Sequence, residues 1–146
     1  MSVPGGRGKF FLDTNIFVYT FDKTSKSKRE PAEHLVNAAI VSRRGIVSYQ
    51  VVQEFLNVAT RKFVQPLNSL EAQLYLTRVL MPLCEVFPDA ALYAHALSVG
   101  SEAGISFYDA LIVSSAIAGG CQTLFTEDLQ HGRRIRGLEI RNPFRD

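Results

Sequence analysis

The sequence predicts an α/β fold whose central sheet is mostly parallel. Short apolar runs typical of buried strands alternate along the chain with longer segments of helical periodicity, and short links join them. The 146 residues fit a single domain, and 47% hydrophobic residues are enough for a sizeable core, which excludes a disordered or fibrous chain. We expect a flexible leader over residues 1–8 and one domain over residues 9–146.

Two strands and three helices are expected in the first half of the chain. The apolar run ending at Leu12 indicates a short buried strand, and a helix opens in the polar residues after it. A Lys-rich loop follows, and Pro31 stands where a first helical turn tolerates proline. The expected elements are a strand at 9–12, helices at 14–21 and 30–42, a strand at 45–48 and a helix at 49–62.

The second half of the chain continues this alternation. Asn68 and Glu71 supply capping chemistry at a helix start, and Gly104 and Gly119 stand where glycines end helices. The expected elements are a helix at 68–79, a strand at 83–87, helices at 89–103 and 106–118, a strand at 122–125, a short helix or turn at 127–132 and a strand at 138–140.

A nearly neutral net charge hides three blocks of opposite sign. The total of +2 neither indicates nor excludes a nucleic-acid binder. Residues 1–78 carry eleven basic and six acidic side chains, residues 79–132 carry six acidic and no basic ones, and residues 133–146 carry five basic and two acidic ones. This pattern suits a protein that needs both signs of charge in different places.

The sequence shows no targeting or membrane signal. No apolar run approaches the roughly 18 residues of a membrane helix, and the first residues lack the hydrophobic region of a signal peptide. Cys84 and Cys121 lie outside any CxxC motif and are expected to be buried, reduced thiols. These features predict a cytoplasmic protein with no membrane partner.

Four carboxylates stand in apolar surroundings. Asp13 follows a Phe-Phe-Leu run and Asp128 follows a Leu-Phe-Thr run, so both lie at strand ends, where open parallel sheets place their sites. Glu54 shares a helix face with two valines, and Asp109 shares one with an isoleucine and a valine. Each also has a structural explanation, since three of them could cap helices or turns and Glu54 could pair with a basic residue two turns away.

Taken together, the four carboxylates indicate a bound cation. Carboxylate oxygens favour Mg²⁺ or Mn²⁺, and the absence of a His/Cys cluster argues against zinc. Without metal, repulsion among the four groups is expected to raise the pKa of at least one of them. The sequence has no Gly-x-Ser-x-Gly elbow and no P-loop, which argues against a serine nucleophile and against P-loop nucleotide hydrolysis. Its three histidines lie far apart without a partner at ligand spacing; they are His34, His95 and His131.

Four short acidic motifs follow one another along the chain. They are Phe11-Leu12-Asp13-Thr14-Asn15, Gln53-Glu54-Phe55, Ser106-Phe107-Tyr108-Asp109-Ala110-Leu111-Ile112 and Phe125-Thr126-Glu127-Asp128-Leu129. This ordered set resembles the motifs of PIN-domain nucleases, and most closely those of prokaryotic proteins of the VapC toxin type. The resemblance extends from about Lys9 to Phe144. Any single motif is weak, whereas the ordered set over nearly the whole chain is specific.

The resemblance implies a three-layer α/β/α sandwich and a divalent-metal-dependent endoribonuclease that uses two-metal hydrolysis. It further implies Mg²⁺ or Mn²⁺ as the cofactor, a homodimer and, in the toxin type, a small antitoxin partner of a type II toxin–antitoxin pair. Thr126 and Asn15 match supporting positions, while Glu127 is an extra acid beside the fourth motif residue. The catalytic and metal-binding residues implied by position are Asp13, Glu54, Asp109 and Asp128.

Basic clusters flank the acidic block and are candidates for phosphate contacts, because a polyanionic substrate needs cationic neighbours. Arg133, Arg134 and Arg136 are the preferred RNA-binding group, since they follow Asp128 closely. Their removal is expected to flatten the salt dependence of RNA binding while leaving metal binding intact. The candidate partner surfaces, which could equally be core, lie around Leu70, Leu74, Leu76 and Leu83.

Three other functions stay open on the sequence. A structure-specific DNA nuclease is the nearest alternative within the same class of enzymes. A catalytically idle scaffold that binds RNA or protein is disfavoured, because all four acidic motif residues are present. A phosphotransferase of the haloacid dehalogenase kind requires Asp-x-Asp after its first strand, and Asn15 occupies the second of those positions.

Overall fold

Residues 8–145 are described in a computed structural model, so the predicted leader, apart from Gly8, lies outside the described residues, as does residue 146. The strands are β1 (Lys9–Leu12), β2 (Gly45–Ser48), β3 (Cys84–Val86), β4 (Cys121–Phe125), β5 (Arg134–Ile135) and β6 (Leu138–Arg141). The helices are α1 (Thr14–Tyr19), α2 (Lys26–Ser42), α3 (Tyr49–Arg61), α4 (Ser69–Tyr75), α5 (Met81–Leu83), α6 (Ala90–Ala103) and α7 (Phe107–Ala118). A π-helical turn at Leu76–Leu80 joins α4 to α5.

The strands form one sheet in the order β3-β2-β1-β4-β6-β5. Every neighbouring pair is parallel except β5 and β6. The chain moves outward from β1 to β3 and then crosses back to β4 on the other side of β1. Helix α1 contacts α2 and α3, α3 contacts α4, and α6 contacts α7. Because crossovers between parallel strands are right-handed as a rule, α1–α5 lie on one face of the sheet and the α6–α7 pair lies on the opposite face. The predicted three-layer α/β/α sandwich with a mostly parallel sheet is confirmed.

The core is continuous through both helical layers. Phe10 and Phe11 of β1 are fully buried, and side chains at adjacent strand positions point to opposite faces of the sheet. Phe17 and Phe55 pack edge to face at 6.3 Å between α1 and α3. In α7 every residue from 110 to 116 is buried, which explains why this helix is apolar on all sides.

Within the described residues, no single helix is both long and apolar enough to span a membrane. Only α6 and α7 taken together reach the necessary length and composition, and they are bent by 115° at their junction. Both cysteines are free, as expected, but Cys84 is buried while Cys121 is half-buried rather than buried. Burial raises the pKa of the Cys121 thiol to about 12.

The expected start of the second helix is wrong by about one turn. The helix begins at Lys26, and the Arg29 N–H donates to the Ser25 carbonyl at 2.9 Å, so Pro31 lies in the second turn. Two ion pairs between residues four apart on the helix favour this earlier start. They join Lys26 to Glu30 and Arg29 to Glu33. Proline is tolerated there because its missing N–H costs one helical hydrogen bond near the helix end.

Two smaller differences concern the end of a helix and a missed strand. The first helix ends at Tyr19 rather than at residue 21, and single turns carry the chain onward. The segment 127–132, expected as a short helix or a turn, consists of bends and a turn. The short strand β5 is missing from the prediction, and it pairs with β6 through a two-residue turn at Arg136 and Gly137, whose φ angles are 49° and 86°. Positive φ at both positions is typical of type I′ hairpins, and Gly137 is the one signal for it in the sequence.

Replacing Gly45 by Ala is expected to destabilise the protein by about 2–3 kcal/mol, because overpacking of a tight core costs roughly that much. A Cβ at this position would lie 2.7 Å from the Ala39 Cα, and 2.7 Å from the Phe10 ring, where neither neighbour can move freely. Urea unfolding measures the loss. Gly104→Asn is the matched control, because nothing lies within 4 Å of that Cβ and Asn tolerates the φ of 69°. Equal unfolding midpoints for Gly45→Ala and the unsubstituted protein would contradict this packing.

Candidate active site

The carboxyl ends of β1 and β4 meet where the order of strands changes direction. From β1 the chain continues to β2 on one side, while β4 pairs with β1 on the other. Open α/β sheets hold their ligand sites at such switch points. Asp13 directly follows β1 and its N–H donates to the Phe125 carbonyl of β4 at 3.1 Å, while Thr126 directly follows β4. The first and fourth motifs therefore come together at this edge of the sheet.

Asp13 is the most deeply buried of the four predicted carboxylates, with 7% of its surface exposed. Its Oδ1 accepts the Thr14 N–H at 2.7 Å, so it caps α1, and its Oδ2 accepts the Thr126 hydroxyl at 2.7 Å. Burial raises the pKa of Asp13 to about 6, and the charges of Asp128 and Glu54 push it up further, while the two hydrogen bonds lower it. No salt bridge among residues 8–145 involves Asp13.

Asp128 is linked to Asp13 through Thr126, whereas its neighbour Glu127 contacts other residues. The Asn15 amide donates to both carboxylate oxygens of Asp128 at 3.3 Å. The Asp128 N–H donates to the Thr126 hydroxyl oxygen at 3.1 Å, so this one hydroxyl links Asp13 and Asp128. Asp128 is exposed, and its partial desolvation raises its pKa, while the charges of Glu127 and Asp109 raise that pKa further.

Glu127 has partners of its own. It accepts a hydrogen bond from the Tyr19 hydroxyl and forms a salt bridge with the Lys28 ammonium group at 3.0 Å. The same ammonium group donates to the Tyr19 hydroxyl at 3.0 Å and lies 4.6 Å from the centre of the Tyr19 ring. Of the two adjacent acids, Glu127 is thus neutralised by Lys28, whereas Asp128 lies within electrostatic reach of Asp109 and Glu54.

Glu54 reaches the site from α3. It is half-buried and accepts a hydrogen bond from the Thr14 hydroxyl at 2.8 Å, so Thr14 holds Asp13 through its N–H and Glu54 through its hydroxyl. The Gln50 amide, one turn earlier on α3, donates to the other Glu54 oxygen at 3.5 Å. Among residues 8–145 Glu54 forms no salt bridge, so the alternative of a pair with a basic residue two turns away is not found.

Asp109 enters from α7 on the other face of the sheet. The Ser106 hydroxyl accepts the Asp109 N–H at 3.2 Å and caps the helix, as the Ser106-x-x-Asp109 spacing predicts. This cap uses the backbone of Asp109, and in the described part of the chain its carboxylate accepts no hydrogen bond. The Asp109 charge raises the pKa of Asp128, which places the two carboxylates within electrostatic reach of each other.

The four carboxylates are electrically coupled, but they do not form a closed ligand shell. Over residues 8–145, no three Asp, Glu, His or Cys side chains converge closely enough to hold an ion as they stand. The donor set has the chemistry of a hard dication site, since it combines carboxylate and hydroxyl oxygens with uncompensated negative charge. The residues therefore fit Mg²⁺ or Mn²⁺ by charge and donor type. The expected rise of a carboxyl pKa is found, although burial contributes more to it than repulsion does.

Several residues of the site were not anticipated. Thr14 and Gln50 both donate a hydrogen bond to Glu54. Thr14 directly follows Asp13 in the chain and Gln50 lies one helical turn before Glu54, so their positions beside predicted site residues could have identified them. Tyr19 and Lys28 carry no such signal, because 108 and 99 residues separate them from their partner Glu127.

The three arginines preferred for RNA binding differ in their surroundings. Arg133 donates to the Ala103 carbonyl at 2.6 Å, and Arg136 forms a salt bridge with Glu102 at 2.7 Å, so both fasten the hairpin to the end of α6. Arg134 is more exposed and lies 3.7 Å from a glutamate on the neighbouring strand. Two of the three thus have a structural role, and their contact with RNA stays a prediction.

The metal-free protein is expected to lose stability as the pH rises from about 4 to 7. The pKa of Asp13 is about 6 in the folded state against 3.8 ordinarily, so the folded state binds more protons than the unfolded state in this interval. Stability then falls with rising pH, by up to about 3 kcal/mol for this one group. Urea unfolding in EDTA at pH 4.5 and 7.5 measures the change. A metal-free protein that gains stability over this interval would contradict the burial of an uncompensated Asp13.

Comparison with known proteins agrees with this geometry. A family model of the PIN domain matches residues 10–136. Among curated protein sequences, none matches this chain significantly. FitAcB from Neisseria gonorrhoeae has a similar structure, with a TM-score of 0.63 at 19% identity over 92% of this chain and 98% of that one.

Two further solved structures share the fold. VapBC2 from Rickettsia felis, bound to a DNA fragment from its promoter, has a TM-score of 0.60 at 23% identity over 91% of this chain and 97% of that one. Mycobacterium tuberculosis VapC20, described as a Sarcin-Ricin loop cleaving toxin, has a TM-score of 0.57 at 19% identity over 82% and 92% of the two chains. At these identities the structures establish a common fold.

Proposed function

Because this chain belongs to the PIN domain family, we propose that it is a nuclease that hydrolyses RNA phosphodiester bonds with the help of bound Mg²⁺ or Mn²⁺. One observation carries the proposal. Four coupled carboxylates from four separate segments face the switch point of the sheet, and two of them, the buried Asp13 and the exposed Asp128, have raised pKa values and no cationic partner among residues 8–145. A site of this kind gains most from a bound dication.

Asp13, Glu54, Asp109 and Asp128 would hold the metal in this proposal. When bound, a pair of dications would activate the attacking water and stabilise the leaving oxygen. Thr126 orients Asp13 through its hydroxyl and fixes the start of the Asp128 segment through the same oxygen. Asn15 and Thr14 hold Asp128 and Glu54 in position. Such supporting hydrogen bonds fix the orientation of ligating carboxylates.

RNA is favoured over DNA as the substrate by the similarity to VapC20, a protein described as cleaving the Sarcin-Ricin loop. A cytoplasmic location follows in this proposal from the substrate and from the two free thiols. The structure-specific DNA nuclease and the idle scaffold are the competing functions. All four acidic motif residues are present, which disfavours the scaffold.

We also infer that the chain is the toxin of a toxin–antitoxin pair and forms a homodimer. Support comes from similar structures described as a toxin–antitoxin complex from Klebsiella pneumoniae and as VapBC from Salmonella typhimurium. Leu70 and Leu74 of α4 are exposed and therefore available to a partner, whereas Leu76 is half-buried and packs against the core. Leu83 is 5% exposed and belongs to the core.

A comparison of substrates tests the proposal. The purified protein is incubated in Mn²⁺ with single-stranded RNA, folded RNA and flapped DNA. We expect RNA to be cleaved and DNA to survive. Asp109→Asn is the matched inactive variant, because the helix cap uses the backbone of residue 109 and is retained. Preferential cleavage of flapped DNA would favour the DNA nuclease, and binding without cleavage of any substrate would favour the scaffold.

A further inference from the structure

A cavity with aromatic walls lies beside the candidate active site. It has a volume of about 370 Å³ and is formed by the first turn of α3, the segment after β3 and the first turns of α6 and α7. Its walls include the rings of Tyr49, Tyr93, Phe107 and Tyr108. The volume falls within the roughly 300–1,000 Å³ typical of sites for small organic groups. The proposed catalysis assigns no role to this cavity.

Two residues that line the cavity carry buried polar atoms without partners in the described part of the chain. Ser48 is 2% exposed and lines the cavity, and its hydroxyl has no hydrogen-bond partner within residues 8–145. The side-chain oxygen of Gln50, on the same wall, is likewise buried and unpaired in that part of the chain. Buried polar atoms are normally paired, so each such exception requires an explanation. After a small rotation of these two side chains toward the cavity, a ligand with hydrogen-bonding edges would satisfy both atoms.

Gln50 connects the cavity to the carboxylates. Its amide nitrogen donates to Glu54 at 3.5 Å and to the Tyr108 carbonyl at 3.4 Å, while its oxygen is the unpaired atom. One side chain therefore touches both a proposed metal ligand and the cavity wall. A group bound in the cavity would lie next to whatever reacts at Glu54.

The charge of the walls decides which part of a nucleic acid fits. The residues that line the cavity include no Lys, Arg, Asp or Glu. An uncharged aromatic surface does not attract a phosphate group, whereas aromatic side chains stack readily on nucleobases. The hydroxyl of Ser48 and the oxygen of Gln50 are suited to the N–H groups on the edge of a base. The cavity thus has the chemistry of a base site, and the carboxylates have that of a phosphate and metal site.

We propose that this cavity receives one unpaired nucleobase of the substrate, next to the phosphate that is cleaved. The inference rests on the proposed nuclease function and adds a requirement to it. A base stacked inside a duplex cannot enter the cavity, so the substrate is single-stranded at the cleavage position, as in a loop or a free strand.

The test replaces the most exposed ring. Tyr108 is 68% exposed, so Tyr108→Ala should fold normally, and Tyr108→Phe retains the stacking surface. Val41→Ala removes an exposed apolar side chain on α2 that does not line the cavity, and it serves as the control. The probes are fluorescein-labelled RNA hexamers of uridylate, cytidylate and adenylate, together with versions that carry one abasic residue at each position in turn. Binding is measured by anisotropy in an Asp13→Asn background, which leaves the hexamers intact, and cleavage is measured in Mn²⁺ without that substitution.

We expect the abasic residue at one position to weaken binding about tenfold, since stacking of one base on aromatic side chains contributes roughly that factor or more. Tyr108→Ala should weaken binding of the intact hexamer about tenfold and leave binding of that abasic hexamer unchanged. In cleavage, the KM should rise while kcat changes little, because the base is held equally in the ground state and the transition state. Tyr108→Phe and Val41→Ala should behave like the unsubstituted protein.

Three other outcomes distinguish a failure of the base site from a failure of the proposed nuclease function. Equal binding of intact and abasic hexamers, with normal cleavage, would overturn the base site and leave the nuclease standing. Base-dependent binding lost in Tyr108→Ala, without cleavage of any RNA by the unsubstituted protein, would support the base site and overturn the nuclease. A change from dimer to monomer in Tyr108→Ala, measured by light scattering at unchanged affinity per protomer, would assign this face to self-association and overturn the inference.

Discussion

The Asp13→Asn variant is expected to lose RNA cleavage by about 10³-fold or more, because the metal contributes several kcal/mol of transition-state stabilisation that this residue helps to supply. At the same time, the metal-free variant should be more stable than the unsubstituted protein by about 2–3 kcal/mol. The reason is that Asp13 is ionised at pH 7.5 although burial raises its pKa to about 6 from 3.8. Asn removes that charge and can still accept the Thr14 N–H.

Urea unfolding in EDTA measures this gain. The difference between the two proteins should shrink at pH 4.5, where Asp13 is mostly protonated in the folded state and the unsubstituted protein no longer has a buried charge. Thr126→Val provides a comparison, because it removes the hydroxyl that supports Asp13 and leaves the charge in place, and it should therefore destabilise the fold. An Asp13→Asn variant that is less stable than the unsubstituted protein at pH 7.5 would contradict the description of Asp13 as an uncompensated buried carboxylate.

The second large effect is stabilisation by metal. A ligand at 100 times its Kd stabilises the folded state by about 2.7 kcal/mol, which raises the Tm of a domain of this size by roughly 5–10 °C. We therefore expect melting curves in millimolar Mg²⁺ or Mn²⁺ to lie several degrees above the curve in EDTA. The shift should be lost in Asp13→Asn and reduced in Asp109→Asn. Superimposable curves with EDTA and with metal would argue strongly against a dication among these carboxylates.

The position of the site follows from local patterns that the sequence displays directly. Asp13 and Asp128 stand at the ends of two apolar runs, and parallel strands place their carboxyl ends at one edge. The Ser106-x-x-Asp109 spacing predicts the helix cap that the structure contains. These predictions need only the period of a strand or a helix and the chemistry of its ends. They can therefore be made without knowing which residues that are distant in the sequence come into contact.

The partners of each carboxylate depend on the tertiary fold and could not be predicted in this way. The Thr14 hydroxyl meets Glu54 because α1 packs against α3, and 40 residues separate the two. The pairing of Glu127 with Lys28 spans 99 residues, and it distinguishes Glu127 from Asp128 where the local sequence does not. The arginines after β4 were expected near phosphate, whereas Arg133 and Arg136 bind the end of α6. Charge type alone does not determine which surface a basic side chain faces.

RNA cleavage should depend on a metal ion held by Asp13, Glu54, Asp109 and Asp128. Total RNA is incubated with the unsubstituted protein in EDTA, and again after Mn²⁺ is restored in excess, with Asp13→Asn treated in parallel to reveal any contaminating nuclease. We expect no cleavage in EDTA, recovery of cleavage with Mn²⁺, and no cleavage by Asp13→Asn under either condition. Cleavage that persists in EDTA, or that Asp13→Asn retains in Mn²⁺, would contradict the assignment of a metal-dependent nuclease site to these four carboxylates.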